Sequence, residues 1–200
     1  METNLVDFVS FCIKTISSKA QVDTVYTDLK AAFDTVNHTI LMSKLEKLDC
    51  TTRFCNWLES YLVCRQLYVQ IGNCHSASFT NCSGVPQGSN LGPLLFSVFI
   101  NDAAILLNRG GKMFFADDLK IYLEVRQIED CTELQHSLSL FSNWCARNYL
   151  ILSVEKCCVI SYHRLKNAFQ FDYEICGFKL NRVEQVKDLG VNFTSGEIIV

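Results

Sequence analysis

Two hundred residues, 49% of them hydrophobic and 12% aromatic, suffice for one packed domain or a large piece of a bigger protein. A charged fraction of 20% and only two prolines exclude long disordered tracts. The net charge of −3 counts against a chain that grips nucleic acid through phosphates alone, unless acid is concentrated at a metal site.

The chain opens on an amphipathic helix, with Leu5, Phe8, Val9, Cys12, Ile13 and Ile16 at helical spacing. Glu2 and Asp7 stand where a secretory signal would be basic. VDTVYTDL (22–29) predicts a strand with Asp28 near its carboxyl end. Two helices follow. About 35–48 places Ile40, Leu41, Leu45 and Leu48 on one face, and about 52–63 places Phe54, Trp57, Leu58, Tyr61 and Leu62 on one face. QLYVQIGNCHSASFT alternates, breaks at Gly72-Asn73 and resumes, which predicts a hairpin. SGVPQGSNLGP is a turn-rich loop leading into an apolar helix from about Leu91 to Leu107, whose Pro93, Asn101 and Asp102 exclude a membrane span.

KMFFA (112–116) and LKIYLEV (119–125) predict a second hairpin with Asp117-Asp118 at its tip. A helix over 128–147 carries Leu134, Leu138, Phe141 and Cys145 on one face. CCVISY (157–162), FQFDYEI (169–175) and a last stretch ending DLGVNF supply the remaining strands. Eleven cysteines contain no C-x-x-C pair, which argues against structural zinc. Most of them read as small reduced core residues of an intracellular protein, nuclear or cytoplasmic.

Without the inserted segment 35–80, the order is strand, helix, strand, strand, helix, strand: the split β-α-β plan of ferredoxin-like α+β folds. A right-handed crossover makes the first two strands parallel and slots the third between them, antiparallel. The end of the first strand and the turn joining the next two then share one edge, so Asp28 meets Asp117-Asp118. Crowded carboxylates need neutralising, by a shared proton or by Mg²⁺. Two such ions, about 4 Å apart, suit in-line phosphoryl displacement. The doublet alone is weak: with 11 aspartates in the chain, about 0.6 Asp-Asp pairs arise by chance, and turn aspartates commonly bond local backbone.

YTDLKAAFDTVNHTIL (26–41), SGVPQGSNLGPLLFSVFIND (83–102) and FADDLKIY (115–122) resemble, in order, three palm motifs of non-LTR (LINE-type) retrotransposon reverse transcriptases. Looser matches at 64–73, 144–156 and 186–193 extend the similarity across almost the whole chain. The resemblance implies an RNA-directed DNA polymerase with a palm fold over residues 1–200, the motifs spanning about 22–193. It implies two Mg²⁺ ions, with Mn²⁺ as a substitute, and an RNA template, a DNA primer and dNTPs as partners, away from membranes. Asp28 and Asp117 become metal ligands with the Leu29 backbone, and Asp118 a helping carboxylate.

Leu29 and Lys30 would offer backbone N–H groups to the triphosphate. Phe33 would screen the sugar 2′ position; a core phenylalanine is the plain alternative. Gln87 and Gly88 would face nucleotide and template, or simply form a helix-entry turn. Lys156 matches a basic residue that protonates pyrophosphate, and is as well read as a solvated lysine; Ser153 stands where the family has Asn. Arg65 is a candidate phosphate contact. Asn37 and His38 read as cap and buttress. Thr27 and Asn90 replace aliphatic residues of the pattern.

The fingers would be partial, truncated before Asp28, and no complete thumb follows the last motif, as in a truncated element product. The rival readings are a catalytically silent palm remnant that binds RNA or protein, and a palm polymerase of another branch, such as an intron-type reverse transcriptase or an RNA-templated RNA polymerase.

Overall fold

The computed structural model describes residues 2–106 and 110–195. The predicted helix end at Leu107 and the chain termini lie outside the described residues. In chain order the elements are α1 (Glu2–Ser17), β1 (Gln21–Thr27), α2 (His38–Lys47), α3 (Thr52–Leu62), β2 (Arg65–Leu67), β3 (Gln70–Ile71), β4 (Cys74–His75), β5 (Phe79–Asn81) and α4 (Gly92–Leu106). They continue with β6 (Gly111–Phe115), β7 (Asp118–Val125), α5 (Ile128–Arg147), a 3₁₀ turn (Val154–Lys156), β8 (Cys158–Tyr162), β9 (Glu174–Ile175), β10 (Phe178–Lys179), β11 (Asn181–Arg182), β12 (Gln185–Asp188) and β13 (Val191–Thr194). The chain divides into two compact units, one of residues 1–30, 103–145 and 152–200, the other of 31–102 and 146–151.

The first unit is built on a five-stranded sheet in the order β11-β8-β1-β7-β6. The β-branched and aromatic run of β1 (Val22, Thr24, Val25, Tyr26, Thr27) suits a central strand, and β1 is buried along nearly its whole length. It pairs antiparallel with β7, from Gln21 opposite Val125 to Thr27 opposite Leu119, and antiparallel with β8 on its other side. β6 pairs antiparallel with β7 and therefore runs parallel to β1. This is the strand order that the split β-α-β reading requires.

On one face Phe8 and Cys12 of α1 pack with Val22, Tyr122, Ile160, Tyr162 and Phe193. The Phe8 ring meets those of Tyr122, Phe193 and Tyr162 edge-on at 5.0, 5.8 and 5.9 Å. Asp23 alternates to the other face and is fully buried. It accepts hydrogen bonds from Gln21 Nε2 (2.7 Å), Tyr173 Oη (2.7 Å) and Ser161 Oγ. Its burial is therefore satisfied.

The predicted strand over 169–175 is shorter: only Glu174–Ile175 is strand. The Gln21 amide accepts from Phe169 N–H (2.9 Å) and donates to Phe169 C=O (3.0 Å), standing in for a neighbouring strand.

In the second unit α2 is capped by Asn37, whose Oδ1 accepts from Ile40 N at 3.0 Å. Leu41 and Leu45 are its buried residues, while Leu48 is exposed. α3 turns differently from the expectation: Cys55, Leu58 and Leu62 are buried, and Phe54 and Trp57 face outward. The predicted hairpin is two short ladders, β2 with β5 and β3 with β4. They are bridged where Ser76 Oγ accepts from Val69 N at 2.9 Å.

All eleven cysteines are free thiols, and only five are buried; Cys64, Cys74, Cys82 and Cys176 are exposed. The expectation of a mostly buried set is corrected accordingly. Cys64, Cys74 and Cys82 sit in or beside the short ladders of the second unit, which leave them open to solvent. Among the described residues no helix is long and apolar enough to cross a membrane.

Candidate active site

Pairing Thr27 with Leu119 brings the residue after β1 opposite the start of β7, so the register itself places Asp28 beside the β6–β7 turn. Thr27, the departure from the aliphatic pattern, ties this junction by donating its hydroxyl to the Leu119 carbonyl at 3.0 Å. The turn is a two-residue connection, Ala116-Asp117, closed by the Phe115–Asp118 pair. Ala116 has φ +54°, a left-handed conformation that costs a non-glycine residue about 1–2 kcal/mol. Strain of this kind collects at functional turns.

Asp28 is half-buried. Its Oδ2 is closed to solvent and accepts no hydrogen bond, while the Lys156 ammonium lies 3.2 Å away as an ion pair without hydrogen-bond alignment. Lys156 thus lies beside the Asp28 carboxylate with its side chain 66% exposed. The local backbone arranges it: Ser153 N donates to Asp28 O at 2.8 Å, and Leu29 bridges Leu152. Leu29 is buried, and Lys30 is exposed. The Cys157 thiol, next in sequence, is pushed up to about 11 by burial.

The Asp118 carboxyl titrates above its usual range. The first cause is displacement of water by neighbouring atoms; the charges of Asp117 and Asp28, and then Asp188, add to it. A carboxyl raised in the folded state costs stability once pH exceeds its folded pKa, and that cost fades as pH falls toward the unfolded value of 3.8. Asp118→Asn is therefore expected to raise the melting temperature of the metal-free protein at pH 7 and to change it little near pH 4. Thermal unfolding at the two pH values checks this.

Asp28 and Asp118 border a cleft of about 190 Å³ whose lining also includes Lys120, Lys156, Asp188 and Leu189. Lys120 and Asp188 were not singled out by sequence reasoning. They form a buried ion pair, with side chains 5% and 10% exposed. The Lys120 ammonium also lies 4.2 Å from the Phe8 ring centroid. Their sequence signal was a lysine in a buried strand and an aspartate in a late hairpin, neither informative until the two are seen to meet.

Among the described residues no three His, Cys, Asp or Glu side chains are already gathered into a metal-binding group. The donor set still fits hard divalent cations, being all oxygen, with one shielded carboxylate oxygen that accepts no hydrogen bond; the Lys156 ammonium that now faces it would have to give way to a cation.

The remaining expected site residues belong to the second unit. The half-buried Phe33 stacks on Phe96, with centroids 4.5 Å apart. Gln87 is exposed and donates from Nε2 to Asp34 Oδ1 at 2.9 Å. Asp34, passed over in the first motif, thus orients the Gln87 amide. His38 buttresses the same turn, its Nε2 lying 2.7 Å from Gly84 O. Arg65, Asp34, Gly84, Pro86 and Gln87 line a second cleft, of about 300 Å³.

Gly84 has φ +83°, and a Cβ there would lie 2.6 Å from the Asp34 carbonyl oxygen. Gly88 has φ +76° with nothing within 4 Å of a Cβ. Gly84→Ala is therefore expected to cost about 2 kcal/mol or more and Gly88→Ala about 1 kcal/mol, a difference that urea unfolding would read.

The profile of the reverse transcriptase (RNA-dependent DNA polymerase) family matches residues 4–193. The chain belongs to the reverse transcriptase family. It is 32% identical over 152 residues to a probable RNA-directed DNA polymerase from transposon BS of Drosophila melanogaster, covering 72% of this chain and 17% of that protein. It is 28% identical over 193 residues to the RNA-directed DNA polymerase from mobile element jockey of Drosophila funebris, covering 92% of this chain and 21% of that protein. These relatives place it in the non-LTR, LINE-type branch. The chain spans about a fifth of their length.

Apo telomerase from Candida tropicalis superposes with a TM-score of 0.65 at 10% identity, over 96% of this chain and 35% of that one. Telomerase from Candida albicans in complex with a fragment of telomeric RNA gives 0.61 at 12% identity, over 90% and 34%. At these identities the likeness shows the fold, a polymerase palm of mixed α and β content.

Proposed function

We propose that this chain is the catalytic palm of an RNA-directed DNA polymerase that adds dNTPs to a primer on an RNA template. The observation that carries the proposal is the meeting of Asp28, Asp117-Asp118 and Lys156 at one end of the β1/β7 ladder, in a chain of the reverse transcriptase family. Asp28 and Asp117, with the Leu29 backbone carbonyl, would hold two Mg²⁺ ions, for which Mn²⁺ can substitute, and Asp118 would assist. When bound, the ions supply a lowered pKa for the primer 3′-hydroxyl and charge stabilisation for the pyrophosphate that leaves.

The chain's own residues contribute position and protons. The strained Ala116-Asp117 turn fixes the doublet opposite Asp28. Lys156, 3.2 Å from Asp28, would protonate the leaving pyrophosphate once its contact with Asp28 is released. The Leu29 and Lys30 backbone would meet the triphosphate. Phe33, braced on Phe96, would exclude a ribose 2′-hydroxyl, and Gln87 and Gly88 would face nucleotide and template, with Arg65 on a phosphate.

The test is primer extension on poly(rA)·oligo(dT) with Mg²⁺ and dTTP, run beside Asp117→Ala. Extension that vanishes in the variant is the expected result. No extension from a cooperatively folded protein would overturn the claim that this chain is itself an enzyme. A silent module binding RNA or protein through the same fold would then lead.

A further inference from the structure

α3 presents an unusual outer face. Phe54 and Trp57 stack with centroids 5.8 Å apart and planes 30° from parallel, and Trp57 and Tyr61 at 6.0 Å and 15°. The row ends at Arg65, whose guanidinium lies 5.0 Å from the Tyr61 ring centroid. Core packing does not explain the row, because the buried side of α3 is Cys55, Leu58 and Leu62. Phe54 and Trp57 remain 42% and 51% exposed. Offset stacking at these distances fixes the ring planes and leaves much of their faces in water.

We propose that Phe54, Trp57, Tyr61 and Arg65 form a stacking platform for single-stranded nucleic acid, with bases against the rings and a phosphate on Arg65. Three observations select this occupant over a protein. First, near-parallel rings held by one helix are pre-organised for planar aromatic ligands, and stacking tolerates any base. Second, the Arg65 guanidinium is weakly engaged: among the described residues it donates a long hydrogen bond of 3.5 Å to Tyr61 O. A guanidinium so placed suits phosphate. Third, residues 51–82 contain two arginines and a single carboxylate, Glu59, in a chain with 21 acidic residues. The platform therefore lies in a stretch of net charge +1 within a chain of net charge −3.

Arg65 also lines the 300 Å³ cleft with Asp34 and Gln87, so the row runs into the turn already assigned to the template side. That last step rests on the proposed polymerase reading and makes the strand the unpaired template ahead of synthesis. The binding itself does not depend on that reading.

The experiment follows binding of a labelled 12-nucleotide oligo(U) to the whole chain, with tryptophan emission recorded in parallel. Trp144 is buried and Trp57 is not, so quenching reports Trp57. The expected result is quenching by oligo(U) and little by a blunt A·U duplex of the same length. Trp57→Ala is expected to weaken binding by about 5- to 150-fold. Arg65→Gln is expected to lower the slope of log affinity against log salt by about 0.7, the value of one phosphate contact on a single strand.

Phe54→Ala is a second, exposed variant, and matched melting temperatures show that folding is intact. Equal affinity of wild type and all three variants overturns the platform, as does equal affinity for the duplex or no binding at all. A wild-type dimer that Trp57→Ala converts to monomer, without oligo(U) binding, assigns the face to a second copy and also overturns it. Primer extension without Trp57-dependent binding sinks the platform alone and leaves the enzyme standing.

Discussion

Asp28→Asn is expected to lower Mg²⁺-dependent primer extension by about a thousandfold, corresponding to about 4 kcal/mol of lost transition-state stabilisation. Asparagine keeps the shape of the side chain and removes the charge that gathers the cations. Folding is little affected: the Oδ2 atom of Asp28 accepts no hydrogen bond, and its ion-pair partner Lys156 is largely exposed, so the pair contributes little to stability. Asp118 is more exposed and its carboxyl gives up its charge more readily, so Asp118→Asn is expected to slow extension by only about tenfold. Initial rates at saturating dTTP separate the two roles. Equal losses in both variants would contradict the assignment of Asp118 as a helper.

The second large effect falls on stability. Lys120 and Asp188 form a buried pair, and removing one partner strands the other's charge in the interior, at a cost of about 3–5 kcal/mol. Taking about 3 kcal/mol, Lys120→Met is expected to lower the melting temperature by roughly 6–12 °C. The double variant Lys120→Met/Asp188→Leu is expected to recover most of the loss, because a well-packed apolar pair replaces a buried ion pair at little cost. Thermal unfolding of the two single variants and the double forms the cycle. A double variant as unstable as the worse single would show that the pair matters through geometry, by holding β12 at the cleft.

The sequence carried the sheet because its logic is topological. Element order and crossover handedness determine that β7 lies between β1 and β6, and from that alone Asp28 faces the Asp117-Asp118 turn. α5 was equally readable over Ile128–Arg147, since its apolar stripe, including Leu134, Leu138, Phe141 and Cys145, is the stripe it buries.

Periodicity failed on α3, where apolar residues cover more than one side. It grouped Phe54, Trp57 and Tyr61 with Leu58 and Leu62, and only packing shows which of them turn outward. It failed again at 169–173, where a strand-like run is held by separate contacts in place of a ladder: Phe169 by the Gln21 side chain and the Phe171 carbonyl by Arg182. The roles of Lys120, Asp188 and Asp34 depend on partners 53 to 68 residues away, and no local pattern encodes such meetings. The family motifs named the carboxylates, and the register explains why they converge.

The claim that Asp28 and Asp117 gather divalent cations is tested most directly by titrating Mn²⁺ into the metal-free chain and following the EPR signal of the free ion. The wild type is expected to take up Mn²⁺, and Asp28→Asn/Asp117→Asn, shown to be folded by its cooperative melting, to bind it at least about tenfold more weakly. Equal Mn²⁺ uptake by the folded double variant would contradict the account and move the cation site elsewhere.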